Sequence, residues 1–232
     1  MSIQHEILDY IQTNRVSSVE ISDALDKTGV IPSVKSINQG SYSVGIIKYI
    51  TTWSESNWPL HQQIQDVGQG DMVFVDTFGC NDKAIFGDLV AKFLILYRKV
   101  AGVVVNGYVR DLHRLRREGY PIWAHGSTPL GCSNKKVHLA DDVKNYFEQR
   151  REIYEGGILV ADDSGCSLIE RSRQTKSTLE KINFIELQED IWYYCIDTLK
   201  MNTFEVICLK EYIHNPSILP EALRDLLENS ED

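Results

Sequence analysis

No stretch of this chain stays apolar for anything near the roughly 20 residues that a membrane-spanning helix needs. The N-terminus, MSIQHEILDYIQ, lacks a basic start followed by an apolar core, so it does not read as a secretory signal. Together these absences make the cytoplasm the expected compartment. Positive charge is also short. Against 33 Asp and Glu stand only 24 Lys and Arg, and the formal net charge of −9 argues against a broad electrostatic footprint for nucleic acid. The five cysteines (Cys80, Cys132, Cys166, Cys195 and Cys208) are odd in number and never spaced C-x-x-C. Reduced, structural thiols are therefore expected rather than a disulfide framework. The histidines do not pair at zinc-ligand spacings either, which removes a structural zinc site. Internal repeats and low-complexity linkers are missing as well.

What is present is a globular composition, 43% hydrophobic and 25% charged. At 232 residues the chain is long enough for one large domain, or one domain with an appendage, and for a substantial core. Apolar residues at helical spacing (Ile3, Ile7, Leu8, Ile11) predict a short amphipathic helix. Ser17 and Glu20 form a capping-box pattern that opens a second helix, with Gly29 as its stop. SVGIIKYITT (43–52) reads as a strand, residues 53–59 as a loop, 60–67 as a short helix and DMVFVDTFG (71–79) as another strand. Residues 79–85 read as a polar connection. The charged segment 134–155 predicts an inserted helix with flanking loop, and ILVADDSGCSLIE (158–170) a β-hairpin. Residues 171–199 read as helical, followed by an appendage with an acidic end from Glu228 to Asp232. The expected class is α/β, and the chain divides at 1–170 and 171–232.

The most informative stretch runs from Gly87 to Cys132 and reads helix, buried strand, Arg-Asp, helix, strand. Gly87-Asp88-Leu89 opens the first helix, where unpaired backbone N–H groups and a positive dipole end favour an anion. The run Val103-Val104-Val105 marks a strand covered on both faces, and Asn106, Gly107, Arg110 and Asp111 gather where it is expected to stop. Arg110 is suited to bidentate carboxylate binding and Asp111 to hard oxygen ligation of Mg²⁺ or Mn²⁺. Each acid also has a structural reading, because Asp88 and Asp111 both sit at helix starts, where acids are favoured anyway. His113 and His125 flank an Arg-rich helix with Arg114, Arg116 and Arg117, whose bland reading is a solvated face. Asp162-Asp163-Ser164-Gly165 is either a cation loop or simply hairpin-turn chemistry. Cys132 carries no His/Asp spacing of a nucleophile.

The blocks ISDALDKTG, GDMVFVDTFG (70–79), GDLVAKF (87–93), VAGVVVNGYVRD (100–111), GYPIWAHGSTP (119–129) and GGILVADDSG (156–165) occur in one order. In that order they resemble the regulator of ribonuclease activity A (RraA)-like proteins and class II 4-hydroxy-4-methyl-2-oxoglutarate (4-carboxy-4-hydroxy-2-oxoadipate) aldolases, over residues 17–170. The resemblance implies a layered α/β/β/α fold of the swivelling type, assembled as a homotrimer or hexamer. It also implies Mg²⁺ or Mn²⁺ and retro-aldol or decarboxylation chemistry on small 2-oxo acids such as those that yield pyruvate. Carried over, Asp111 ligates the metal and Arg110 holds the 2-oxo acid. The backbone of Gly87, Asp88, Leu89 and Val90 binds its carboxylate, and Asp88 orients a metal-bound water. Where the aldolases carry an acid three positions after the metal-ligating Asp, this chain has Arg114. Two other readings belong to the same resemblance: a non-catalytic regulator binding a protein such as a ribonuclease, and an enolising or isomerising relative.

Overall fold

The three valines Val103–Val105 lie in the middle of a sheet with no exposed surface, the burial that a continuous apolar run demands. The computed structural model describes residues 2–229 and divides into two compact units between Thr175 and Lys176. In chain order the first unit contains α1 (Ile3–Asn14), α2 (Ser18–Ala24), β1 (Lys35–Ser36), β2 (Ser43–Trp53), α3 (Trp58–Gln63), β3 (Met72–Phe78) and β4 (Ala84–Phe86). It continues with α4 (Asp88–Lys92), β5 (Gly102–Val109), α5 (Leu112–Arg117), β6 (Ile122–Ser127), α6 (Asp141–Tyr154), β7 (Ile158–Asp162) and β8 (Gly165–Ile169).

Strands run in the order β1-β6-β5-β3-β2-β7-β8, with β4 added at the end of β5. Strand β2 belongs to two layers. Residues Ile47–Trp53 pair in parallel with β3, whereas Ser43–Ile46 pair antiparallel with β7. Strand alternation then sorts the side chains. Val73, Val75, Val103, Val105, Ile122 and Ala124 face one core, which Leu60, Ala91, Leu94 and Leu115 close from the helical side. Met72, Phe74, Val104 and Trp123 face a second core, filled from the far side by Leu159, Ala161, Cys166 and Leu168 and closed by Val143 and Phe147 of α6. Helix α2 packs on β7 and β8. Helix, sheet, sheet and helix therefore succeed one another, the layered α/β/β/α arrangement implied above.

Local chemistry accounts for the element ends. Ser17 Oγ accepts from Glu20 N (3.2 Å) while Ser17 N donates to Glu20 Oε2 (2.6 Å), so the capping box forms as read. Helix α2 stops at Ala24, before Gly29, because Asp26 and Lys27 turn left-handed. Pro59 sits in the first turn of α3, where its missing N–H costs nothing, so this helix starts two residues before the expected 60. The hairpin of β7 and β8 closes at the Asp162–Gly165 pair.

One buried polar knot holds the sheet near the site. Asp76, with no exposed surface, accepts from Tyr49 Oη (2.7 Å), Asn106 Nδ2 (2.7 Å) and the Arg150 guanidinium. Thr77 Oγ1 donates to Asn106 O (2.6 Å), and the β5–β6 register shifts between Val105 and Tyr108. Asn106 and Gly107 thus lie inside β5 rather than beyond its end. Pattern alone ended the strand early, because two polar-turn residues at a register shift look like a loop.

The second unit comprises α7 (Lys176–Tyr193), α8 (Glu211–His214) and α9 (Glu221–Asn229), with π-turns at Tyr194–Thr198 and Phe204–Cys208. Its own core contains Ile191, Cys195, Val206, Tyr212 and Leu219, and Trp192 Nε1 donates to Tyr212 Oη at 3.2 Å. Of the expected acidic end, residues 230–232 lie outside the described residues. Among the described residues no helix is long and apolar enough to cross a membrane.

Candidate functional site

Strand β4 assembles the site, and it is the element the sequence reading missed, having taken residues 79–85 for a polar connection. Ala84-Ile85-Phe86 pairs in parallel with the end of β5, placing Ala84 beside Tyr108 and Phe86 beside Val109. Arg110 N then donates to Phe86 O at 2.9 Å. The residues that follow each strand are thereby forced together: Gly87-Asp88 after β4, Arg110-Asp111 after β5.

At that junction Asp88 N donates to Asp111 Oδ2 (3.2 Å), so the first amide of α4 meets the carboxylate at the start of α5. Asp111 is left-handed (φ 58°, ψ 34°), a conformation Asp tolerates better than most residues, and this turns its carboxylate back over Gly87. The approach is close enough to dictate glycine. A Cβ on Gly87 would lie 2.0 Å from Asp111 Oδ2 and 2.9 Å from Arg110 Cγ. Arg110 meets a second glycine the same way, since a Cβ on Gly131 would lie 2.6 Å from its Nη1. The Arg110 Nε–Asp111 Oδ2 distance of 3.8 Å leaves the guanidinium, half exposed, free to take another anion.

A cavity of about 190 Å³ opens on these groups, lined by Gly87, Asp88, Leu89, Val90, Arg110 and Asp111 on one side and by Asn57, His61, Gly131, Cys132 and Asn134 on the other. The sequence-read residues are therefore brought together. The opposite wall was not read, for Asn57, His61 and Asn134 stand in loop or short-helix surroundings with no motif spacing. The Asn57 amide gives one signal that only the fold can supply. Its Nδ2 donates to Ile85 O (3.2 Å), while its Oδ1 is buried without a hydrogen-bond partner.

Asp88 is engaged from the other side. Arg114 Nη1 lies 2.6 Å from Asp88 Oδ2, and this guanidinium holds the Asp88 carboxyl below the usual carboxylate range. The remaining sequence candidates fall away from the cavity or into structural roles. His113 lines a separate open depression with Arg116 and Thr128, on the other flank of Arg110 and Asp111. His125 stands edge-on to Tyr108, and burial pushes its pKa down. Arg117 pairs with Glu118, and Arg116 Nε donates to Ile37 O. Asp162 accepts from Ser18 N, Ser18 Oγ and Ser164 N, and Asp163 from Gly40 N, which is turn and tertiary anchoring.

No group of three or more His, Cys, Asp or Glu occurs among the described residues in a metal-holding arrangement. A donor set of one or two carboxylates beside a helix start does suit Mg²⁺ or Mn²⁺, which keep several waters and take remaining ligands from a bound acid. Asp111 and its surroundings fit that class and not a closed four-ligand zinc site.

The protein-family model described as RraA-like, Aldolase/RraA, matches residues 18–167. Protein DlpA of Legionella pneumophila is 30% identical over 184 residues, 75% of this chain, and the chain spans only 29% of DlpA's length. The 4-hydroxy-4-methyl-2-oxoglutarate aldolase of Thermus thermophilus is 27% identical over 153 residues, covering 66% of this chain and 91% of the relative. The crystal structure of Streptomyces coelicolor RraAS2, described as an unusual member of the RNase ES inhibitor RraA protein family, superposes with a TM-score of 0.63. It shares 23% identity and covers 80% of this chain and 96% of that one, a likeness of fold. The chain belongs to the RraA-like (Aldolase/RraA) family.

Proposed function

We propose that this protein is a divalent-metal-dependent carbon–carbon lyase, of aldolase or decarboxylase type, acting on a small 2-oxo acid or a sugar-acid-like relative. One observation carries the reading: Gly87, Asp88, Arg110 and Asp111 line a single small cavity with a free guanidinium face and an anion-favouring turn. A relative named as an aldolase over 91% of its own length supports the same class. Catalysis is assigned to residues 1–170, with 171–232 as a helical extension, and the working assembly is taken to be a homotrimer or hexamer.

In this reading Asp111 holds Mg²⁺ or Mn²⁺, which when bound supplies Lewis-acid polarisation of the 2-oxo group. The chain's own residues do the rest. Arg110 clamps the 2-oxo acid and offsets the negative charge that develops on its oxygen as the C3–C4 bond breaks. The backbone of Gly87, Asp88, Leu89 and Val90 orients the carboxylate. Asp88, ionised and steadied by Arg114, takes up the proton that the substrate hydroxyl loses as the carbonyl product leaves. Return of that proton from Asp88 to C3 of the enolate yields pyruvate. A cavity of about 190 Å³ suits a short carbon chain.

The Asp88–Arg114 pair favours a second reading, in which the acid is committed to structure and the protein regulates a partner such as a ribonuclease. An enolising or isomerising relative would use the same clamp. The deciding experiment is a pyruvate-release assay with 4-hydroxy-4-methyl-2-oxoglutarate and oxaloacetate, with Mg²⁺ and with chelator, on wild type and Asp111→Ala. Turnover that needs both the metal and Asp111 is expected. Recovery of a stoichiometric ribonuclease complex, with no metal-dependent turnover, would favour the regulator.

A further inference from the structure

Among the described residues, Asn57 Oδ1 is the one buried side-chain nitrogen or oxygen without a hydrogen-bond partner. An unpaired buried acceptor is costly and calls for a donor. The other end of the amide settles its orientation. Asn57 Nδ2 donates to Ile85 O (3.2 Å), and the reversed amide would set oxygen against oxygen. Asn57 also lines the cavity at the Gly87–Asp111 junction, on the wall opposite Arg110, so a donor can arrive with the ligand.

That wall is held from two segments. Asn57 N donates to Ser133 O (3.0 Å) and Ser133 N to Glu55 O (2.8 Å), which fixes the loop carrying Asn134 beside the start of α3. His61 N donates to Asn57 O (3.1 Å), so the imidazole follows one helical turn later. Asn57, His61 and Asn134 therefore offer two amides and an imidazole, groups that pair with hydroxyls. Arg110 is the only Arg or Lys among the described residues that line the cavity.

We propose that the wall of Asn57, His61 and Asn134 selects a 2-oxo acid whose tail, beyond the bond that breaks, is hydroxylated and uncharged, with Asn57 Oδ1 accepting from a hydroxyl of that tail.

The inference rests on the proposed function and names its substrate class, a 3-deoxy-2-oxo sugar acid. Arg110 is committed to the 2-oxo acid end and Asp88 to the hydroxyl on C4. A second carboxylate on the tail would find no second guanidinium or ammonium in the cavity, and would meet Asn57 Oδ1 as acceptor against acceptor. A hydroxyl on C5 donates to that oxygen instead, whereas an alkyl tail leaves it unpaired. In the five-carbon case the C3–C4 bond breaks, the C4 hydroxyl proton passes to Asp88 and returns to C3, and the products are pyruvate and glycolaldehyde. Asn57 exchanges no proton; it determines specificity.

Three five-carbon substrates that differ only at C5 test this. They are 4,5-dihydroxy-2-oxopentanoate, 4-hydroxy-2-oxopentanoate and 4-hydroxy-2-oxoglutarate, which end in a hydroxymethyl, a methyl and a carboxylate. Pyruvate release by the full chain is followed with Mg²⁺. The kcat/KM for the dihydroxy acid is expected to exceed each of the others about tenfold or more, because a site built around a hydroxyl rejects analogues that lack it. Asn57→Leu should bring the ratio between the hydroxymethyl and methyl substrates close to one. That ratio is the readout, since a general loss of structure lowers both rates and leaves the ratio in place. A ratio retained in Asn57→Leu, or a wild type that prefers the methyl or carboxylate tail, would overturn the inference alone, and the wild-type comparison gives its answer even if the variant misfolds. Pyruvate from none of the three would overturn the proposed function and this inference with it.

Discussion

Arg114 reaches back across one helix turn to Asp88, with Nη1 2.6 Å from Oδ2, so a cation stands against the acid of the Gly-Asp turn. The pair is solvent-facing, and its consequence lies in titration more than in stability. Removing the guanidinium takes away the largest of the interactions that hold the Asp88 carboxyl low, so its pKa moves upward. In Arg114→Ala the carboxyl titration followed by NMR should have its midpoint at higher pH. The acid limb of the pH–rate profile should move the same way. The sign for stability follows from the same shift. The folded pKa is depressed, so the stabilisation is present above the unfolded pKa and is lost as pH falls through the folded value. Wild type and Arg114→Ala should therefore converge in melting temperature on acidification.

Gly87→Ala tests the close approach at the junction. Its Cβ would meet Asp111 Oδ2 at 2.0 Å, so the Asp111 carboxylate or the turn must shift. Displacements of this kind cost about 100-fold in rate. The overpacking cost to stability is about 1–3 kcal/mol. Steady-state kinetics beside a denaturant titration separates the two effects.

The fold itself rests on the core between the two sheets. Phe74 is fully buried, its ring 4.5 Å from that of Tyr154 and 6.0 Å from that of Tyr49. Phe74→Ala should cost about 3–5 kcal/mol in urea unfolding. A loss under about 1 kcal/mol would mean the layer can collapse around the gap.

Asp76 carries a different kind of load. With no exposed surface it balances the Arg150 guanidinium and joins β2, β3 and β5 through Tyr49 and Asn106. Asp76→Ala strands a half-buried cation and should destabilise by about 3 kcal/mol. Because Asn106 sits at the register shift in β5 that precedes Arg110, a fall in oxalate affinity should accompany the loss.

Much of this was legible in the residues themselves. The capping box at Ser17 and Glu20, the Val103–Val105 strand and the hairpin at Asp162–Gly165 follow from local chemistry that tertiary packing does not override. Strand β4 was not legible. Three residues paired only at the end of a neighbour give no periodicity, yet this pairing sets Gly87 against Asp111. The Gly-Asp and Arg-Asp motifs were visible separately, and their convergence is a property of the sheet. The far wall of the cavity, with Asn57, His61 and Asn134, depends on loop placement that no spacing encodes. Arg114 was visible as a charge reversal; its partner was not.

The most direct test of the central claim is a calorimetric titration of oxalate, a mimic of the pyruvate enolate, with and without Mg²⁺. Wild type should bind oxalate only with the metal, and Asp111→Ala should lose at least about tenfold in affinity, a cost of about 1.4 kcal/mol. Oxalate binding that is the same without Mg²⁺, or unchanged in Asp111→Ala, would contradict a metal-assisted 2-oxo acid site at the Gly87–Asp111 junction.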